Sequence, residues 1–299
     1  MKKHNKIHWE RGLYITSEVL INSDSYHIAE RNLLGRFVAF PLYGILSGGK
    51  FDIENIDTGT LRINISKCLA VTHDGYVINI EEDTPFSREV NLERWNKNEK
   101  ELYVVLTVNP YSTVPVECEE LEFQTCPAEY NLELTRKGET FENGIPVLKI
   151  NKDDSGWEID NEYIPPSISL NSLNALKQQY LKIRENLNDV IEKLENDPIY
   201  IQVMLFYLEL DNYDLQESPK ELALLLKKIC WMLKSAKKIK ELPIVERFVE
   251  KKYNHDEIGE ILHYGVKCLE EIYQELSKEP SIQPKKEEVV VIENGYIVY

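Results

Sequence analysis

Trp157-Glu-Ile-Asp-Asn-Glu-Tyr-Ile-Pro-Pro-Ser-Ile168 is the stretch on which the reading of this chain turns. The consecutive prolines, Pro165 and Pro166, have no backbone N–H to give to a strand ladder, and each restricts the residue before it to extended conformations. They stop the pairing of Tyr163 and Ile164 and hold the exit straight. Before this elbow the chain reads as strands and turns; after it, as helices.

Upstream, Leu61-Arg-Ile-Asn-Ile-Ser66 alternates apolar and polar residues, the mark of a half-buried strand. Asp74-Gly75 between Cys68–Thr72 and Tyr76–Ile80 is a hairpin signal. Leu102–Val108 is apolar throughout and reads as a central strand closed by Asn109-Pro110. Asn131–Thr135 alternates again, and Pro146 places Ile145–Ile150 near an edge or a strand start. Phe37-Val-Ala-Phe40 reads as a short apolar strand after a helix over residues 17–34, and Tyr43–Gly49 as a turn-rich link. About seven strands with turns between them favour a β-sandwich.

Downstream, Leu173, Leu176, Tyr180, Ile183, Leu187, Val190 and Leu194 are spaced 3, 4, 3, 4, 3, 4, an a/d seam over three heptads. That seam suits a coiled coil between chains or a bundle helix. Asp197-Pro198 should open the next helix. Its run Ile199–Leu208 is apolar nearly all round and needs enclosure by other helices. Ser218-Pro-Lys-Glu221 is a capping box for a helix through Ile239, and Asn254-His-Asp-Glu257 opens a last long one with the stripe Leu262, Val266, Leu269, Tyr273 and Leu276. After Pro280 and Pro284, Asn294-Gly295 marks a hairpin within residues 289–299, whose apolar residues Val290, Ile292, Tyr296 and Val298 must pack on the bundle, a sister chain or a partner. The fold class is α+β: a sandwich shoulder over 1–166, a helical bundle neck over 167–279, and a linker with a short C-terminal β-hairpin over 280–299.

The composition sets limits on function. The 299 residues carry 51 acidic and 35 basic side chains, a formal charge of −16, which repels nucleic acid and anionic membrane. No run is long and apolar enough for a membrane span, and no apolar run follows the basic N-terminus as a signal peptide requires. Five scattered cysteines with no C-x-x-C pair fit free thiols in a reducing cytoplasm.

Gly44–Lys50 nearly spells a phosphate-binding loop, but Phe51 stands where a Ser or Thr must reach magnesium, and the stretch to Ile65 reads as strand rather than helix. The six histidines show no metal-ligand spacing. Glu117–Glu122 is an acidic cluster that reads as a solvated loop, and Lys227, Lys228, Lys234, Lys237, Lys238 and Lys240 form a basic run towards a helix end. With no catalytic constellation, no cofactor site and no metal site, an interaction or structural role is expected rather than an enzyme. Trp9, Leu13 and Tyr14 are candidate anchors for a partner, Trp9 being equally compatible with the sandwich core.

These residues, taken in order, resemble the TssK family of type VI secretion baseplate subunits. Trp9, Gly12 and Leu13 fit its opening motif, with Glu10 one position early. Tyr43-Gly44, Gly59-Thr-Leu61, Asp74-Gly75, Leu102–Val108 and Ile145–Ile150 come next in the family's order, and Asp160-Asn-Glu-Tyr-Ile-Pro-Pro166 matches its elbow. Thr16-Ser17-Glu18 replaces the family's Pro-Gln-His. The resemblance implies a cytoplasmic homotrimer at the inner face of the cell envelope. It would link the baseplate wedge (TssF/TssG-like subunits) to membrane-complex proteins, with the neck seam Leu173–Leu194 as trimer interface and Trp9, Leu13 and Tyr14 towards the wedge. The family's C-terminal head, which docks on the membrane complex, is not expected here, because the residues after the bundle read only as a linker and hairpin. Either the hairpin or bundle tip takes over that docking, or the membrane partners are reached differently. Such shoulders are also similar to siphophage receptor-binding proteins, which keeps a glycan- or surface-protein-binding module as the alternative.

Overall fold

A computed structural model describes residues 5–39, 43–57, 59–92, 95, 99–112, 115, 127–139, 143–152, 157–194, 197–236, 239, 242–278, 292–293 and 296–297. The chain opens with helix α1 (Ser17–Ala39), continues into strands β1 (Gly44–Asp57), β2 (Thr60–Val71), β3 (Val77–Ile80) and β4 (Phe86–Asn91), then β5 (Glu101–Asn109), β6 (Glu129–Thr135), β7 (Gly144–Lys152) and β8 (Trp157–Ile159). Helices α2 (Asn174–Glu192), α3 (Tyr200–Asp211), α4 (Pro219–Leu233), α5 (Pro243–Glu250) and α6 (Ile258–Ser277) come after these, and short strands β9 (Ile292–Glu293) and β10 (Tyr296–Ile297) pair antiparallel near the end.

Two four-stranded antiparallel sheets build the first half. In one, β2 pairs with β1, β3 and β4; the other runs β6-β5-β7-β8. The alternation in Leu61–Ile65 is realised in β2, where Leu61, Ile63 and Ile65 are buried. Their neighbours Arg62 and Asn64 are half-exposed. The apolar run Leu102–Val108 is the interior strand β5, buried almost end to end. Pro146 sits where the β5–β7 register shifts between Val104 and Val105, so its missing N–H falls on an irregularity in the ladder.

The glycine-rich stretch before Phe51 is strand, not link. Gly44 (φ 117°) and Gly48 (φ 93°) take backbone conformations that favour glycine. A Cβ on Gly44 would collide with the Pro166 carbonyl, and one on Gly49 with the Leu173 side chain. These glycines therefore let the proline elbow lie against β1. The contact is fixed by Ile45 N–H donating to the Pro166 carbonyl at 2.8 Å and Ile168 N–H donating to the Ile45 carbonyl at 2.9 Å.

The elbow hands one continuous core from sheets to helices: Ile45, Ile63, Val104 and Ile145 connect through Ile164 and Leu170 to Leu176, Ile183, Ile229, Phe248 and Leu269. At a transfer value of about 1.5–3 kcal/mol for each fully buried large aliphatic side chain, this core is the dominant stabilising feature. Gly259 permits the close approach of α6 to the elbow at Ile164 and the Glu162 carbonyl.

Several boundaries differ from the sequence reading. Phe37 lies in α1, which continues through Ala39, instead of opening a strand. Asp197 does accept a hydrogen bond from Ile199 N–H at 3.1 Å, but the helix starts at Tyr200. Ser218 caps α4 as expected, Oγ accepting from Glu221 N–H at 3.3 Å, but α4 ends at Leu233 and a separate helix, α5, begins at Pro243. On α6 the buried stripe passes through Ile272 while Tyr273 is exposed. Glu117–Glu122, Asn294, Gly295, Val290 and Val298 lie outside the described residues, as do the side chains of Ile292 and Tyr296.

Candidate interaction surfaces

The N-terminal arm presents its aromatics to solvent. Trp9 is 51% exposed and Tyr14 83%, while Leu13 is half-buried, so Trp9 does not belong to the sandwich core. Helix α1 continues this surface with Leu20, Ile21, Leu33, Leu34 and Phe37 exposed. Its anchorage is local. A Cβ on Gly75 (φ 85°) would strike the Asn32 carbonyl and Arg36 N, and Asn32 is buried. The Asp74-Gly75 hairpin thus doubles as the seat of α1, with Arg36 3.9 Å from Asp74.

The heptad seam has a different fate. Leu173, Leu176, Tyr180, Ile183, Leu187, Val190 and Leu194 are all buried within the single chain: Leu173, just before α2, lies against Gly49 of β1, and α2 itself packs on α6 and α3. The Tyr180 hydroxyl donates to the Leu210 carbonyl at 2.7 Å, tying α2 to the end of α3. Side chains enclosed by their own bundle cannot also face a second copy, so the seam is corrected from trimer interface to intrachain core. The two alternatives that a narrow a/d stripe offers differ only in who supplies the holes, and spacing alone carries no information about that.

Helix α3 reverses the expectation in the other direction. Its all-round apolar sequence calls for enclosure, yet Ile201, Leu205 and Leu208 are 70%, 62% and 47% exposed, while Val203 and Leu210 are fully buried. The exposed three stand at i, i+4 and i+7, one continuous stripe on the outer face.

Where the sheets meet the bundle, a polar lock holds the two halves. The Tyr43 hydroxyl donates to Asp256. The His255 ring nitrogen Nε2 lies 2.6 Å from the Tyr43 carbonyl, which can only accept, so Nε2 carries the proton. Nδ1, 2.9 Å from the Tyr253 hydroxyl, then accepts. Burial pushes the His255 imidazole below its ordinary range, against the raising effects of the Tyr43 carbonyl and Asp256. Lys137, on the turn after β6, pairs with Glu257. Burial acts to raise the Glu257 pKa, but the Lys137 ammonium outweighs it and holds the carboxyl below its usual value. Adjacent residue numbers gave no sign of this lock, since Tyr43 and His255 are brought together only by the fold.

The remaining candidates resolve into structural roles. Gly44–Lys50 cradles the elbow rather than a phosphate. Lys227 Nζ donates to the Val249 carbonyl at 3.3 Å and to that of Lys251, closing the end of α5, and Lys234 pairs with Glu246. Lys237, Lys238 and Lys240 lie outside the described residues. Cys68, Cys230 and Cys268 are buried free thiols, the Cys68 thiol pushed up to about 12 by burial. Among the described residues no cluster of His, Cys, Asp and Glu suits a metal ion, and no helix is long and apolar enough to cross a membrane.

Two four-stranded sheets run through a proline elbow into a helical bundle, and exposed apolar side chains stand on α1 and α3 among other places. That fold is the fold of TssK. A chain of the TssK-TssF-TssG baseplate subcomplex of the type VI secretion system superposes with a TM-score of 0.63 at 14% identity, covering 91% of this chain and 99% of that one. TssK of the EAEC type VI secretion system, solved with nanobody nb18, gives 0.62 at 14% identity over 86% of this chain and 69% of its own. A crystal structure of TssK gives 0.60 at 12% identity over 91% and 70%. No family model matches the sequence, and no curated protein matches it by sequence.

Proposed function

We propose that this protein is a structural adaptor of a type VI secretion baseplate, a homotrimer that joins wedge subunits to the membrane-side complex without catalysis. The observation that carries the reading is the likeness to TssK over 91% of the chain. Residues 1–166 act as shoulder, 167–279 as neck and 280–299 as linker and hairpin. Trp9, Leu13 and Tyr14, extended by the exposed residues of α1, form the wedge contact; large aromatic side chains of this kind carry most of the energy at protein interfaces. The trimer forms on the outer stripe of α3, Ile201, Leu205 and Leu208, because the α2 seam is already enclosed. Residues 289–299 contact membrane-side partners.

Co-purification tests the adaptor reading. Affinity-tagged protein expressed with TssF/TssG-like neighbours should retain them, and the pair Trp9→Ala and Tyr14→Ala should release them while leaving the circular dichroism spectrum unchanged. Retention undiminished by the double substitution would move the wedge contact elsewhere; no retention by the parent protein would remove the reading.

A further inference from the structure

Between the elbow and the first turns of α2 and α6 lies a cavity of about 500 Å3. The elbow contributes Tyr163, α2 contributes Gln179, and Glu257, Glu260 and His263 line it from the α6 side. The Tyr163 hydroxyl and Gln179 Oε1 are buried and have no hydrogen-bond partner among the described residues. Buried polar atoms are nearly always partnered in folded proteins, and an unmet one is destabilising. Two of them facing one cavity point to an occupant.

The chemistry of the lining selects the occupant. Four carboxylates, Asp160, Glu162, Glu257 and Glu260, stand against two lysines. Both lysines are engaged: Lys149 lies 3.3 Å from Glu101 and 3.4 Å from Asp160, and Lys182 lies 3.0 Å from Glu270. Glu257 pairs with Lys137 and Glu260 lies 3.2 Å from Lys251, so Glu162 is the lining carboxylate that no described cation neutralises. The remaining capacity is for accepting hydrogen bonds and positive charge. Tyr103 and Tyr163, packed edge to face with ring centroids 5.6 Å apart, add aromatic wall. A planar guanidinium has five donors, is weakly hydrated, and stacks on aromatic faces, so it matches separated acceptors beside tyrosine rings better than a compact ammonium. The net charge of −16 draws a basic partner toward the chain.

We infer that this crevice between sheets and bundle binds a guanidinium, the arginine side chain of a basic partner segment. The inference goes beyond the adaptor reading and is tested apart from it.

Isothermal calorimetry on the full chain with N-acetyl-arginine amide, against its neutral isostere N-acetyl-citrulline amide, decides the matter. The arginine probe should bind at least tenfold tighter, because the neutral isostere loses the charged hydrogen-bonded contact. Tyr163→Phe and Gln179→Leu should each weaken it by about tenfold. Neither is expected to lower the melting temperature, since each removes a buried atom without a partner. Equal affinity for the two probes, or no heat from either, would mean that the crevice holds water only and overturns the inference. Arginine binding unchanged in both variants would place the contact elsewhere on the acidic surface and overturns it equally.

Discussion

Helices α2 and α3 stand side by side and spend apolar sequence in opposite ways. Helix α2 has a narrow stripe and buries all of it inside its own chain; α3 is apolar nearly all round and leaves Ile201, Leu205 and Leu208 in solvent. A narrow stripe can be satisfied by one's own bundle, because one face of a helix is what a neighbouring helix covers. An all-round apolar helix at the edge of a bundle has a second face, and in α3 no described residue covers Ile201, Leu205 and Leu208. That excess, more than the regular heptad, is where the proposed trimer contact is placed.

The contrast can be broken most forcefully at Ile183. Ile183→Asp places an unpaired charge in the enclosed seam and should cost about 4 kcal/mol or more, enough to abolish a cooperative thermal transition in a protein of ordinary stability. A variant that melted like the parent would return the seam to the surface. A smaller loss is expected at the α4–α6 crossing, where Gly265 admits the Leu226 side chain. A Cβ there would collide with it and lie 3.0 Å from Phe248. Gly265→Ala should destabilise by about 1–2 kcal/mol in urea unfolding, the overpacking cost less the gain in helix propensity. A stabilised variant would show the two helices to be more loosely packed than described.

The polar lock between sheets and bundle answers to pH. The folded state holds the His255 pKa below the unfolded value, so the folded form binds fewer protons. Its contribution is complete above pH ~6.5 and is lost as pH falls from there toward the folded pKa. Urea midpoints should therefore fall between pH 7.5 and pH 5.5, and His255→Gln should flatten that slope. An equal slope in the variant would assign the effect to other groups.

Much of the sheet half was legible because its signals are local. Leu61–Ile65 alternate, Asp74-Gly75 turns, and Leu102–Val108 is too apolar for anything but an interior strand. The errors arose where a residue serves a distant one. Gly44, Gly48 and Gly49 looked like a link, but they make room for Pro166, Lys67 and Leu173. Phe37 looked like a strand start, but the helix that holds it is seated by Gly75. In the helical half, periodicity gave the buried face of α2 correctly and could not say that α6 and α3 cover it. The Tyr43–His255 lock and the crevice at Tyr163 and Gln179 join residues far apart in sequence, and no local pattern announces them.

Light scattering of the parent protein beside the pair Leu205→Lys and Leu208→Lys tests the central contrast most directly. Exposed positions tolerate such changes within about 0.5 kcal/mol, so the variant should fold as the parent does. The parent should show the mass of three chains of 34.9 kDa and the variant the mass of one, with equal melting of the sheet and helix signals. A variant that kept the parent's mass, or a parent that ran as a single chain, would contradict the assignment of association to α3.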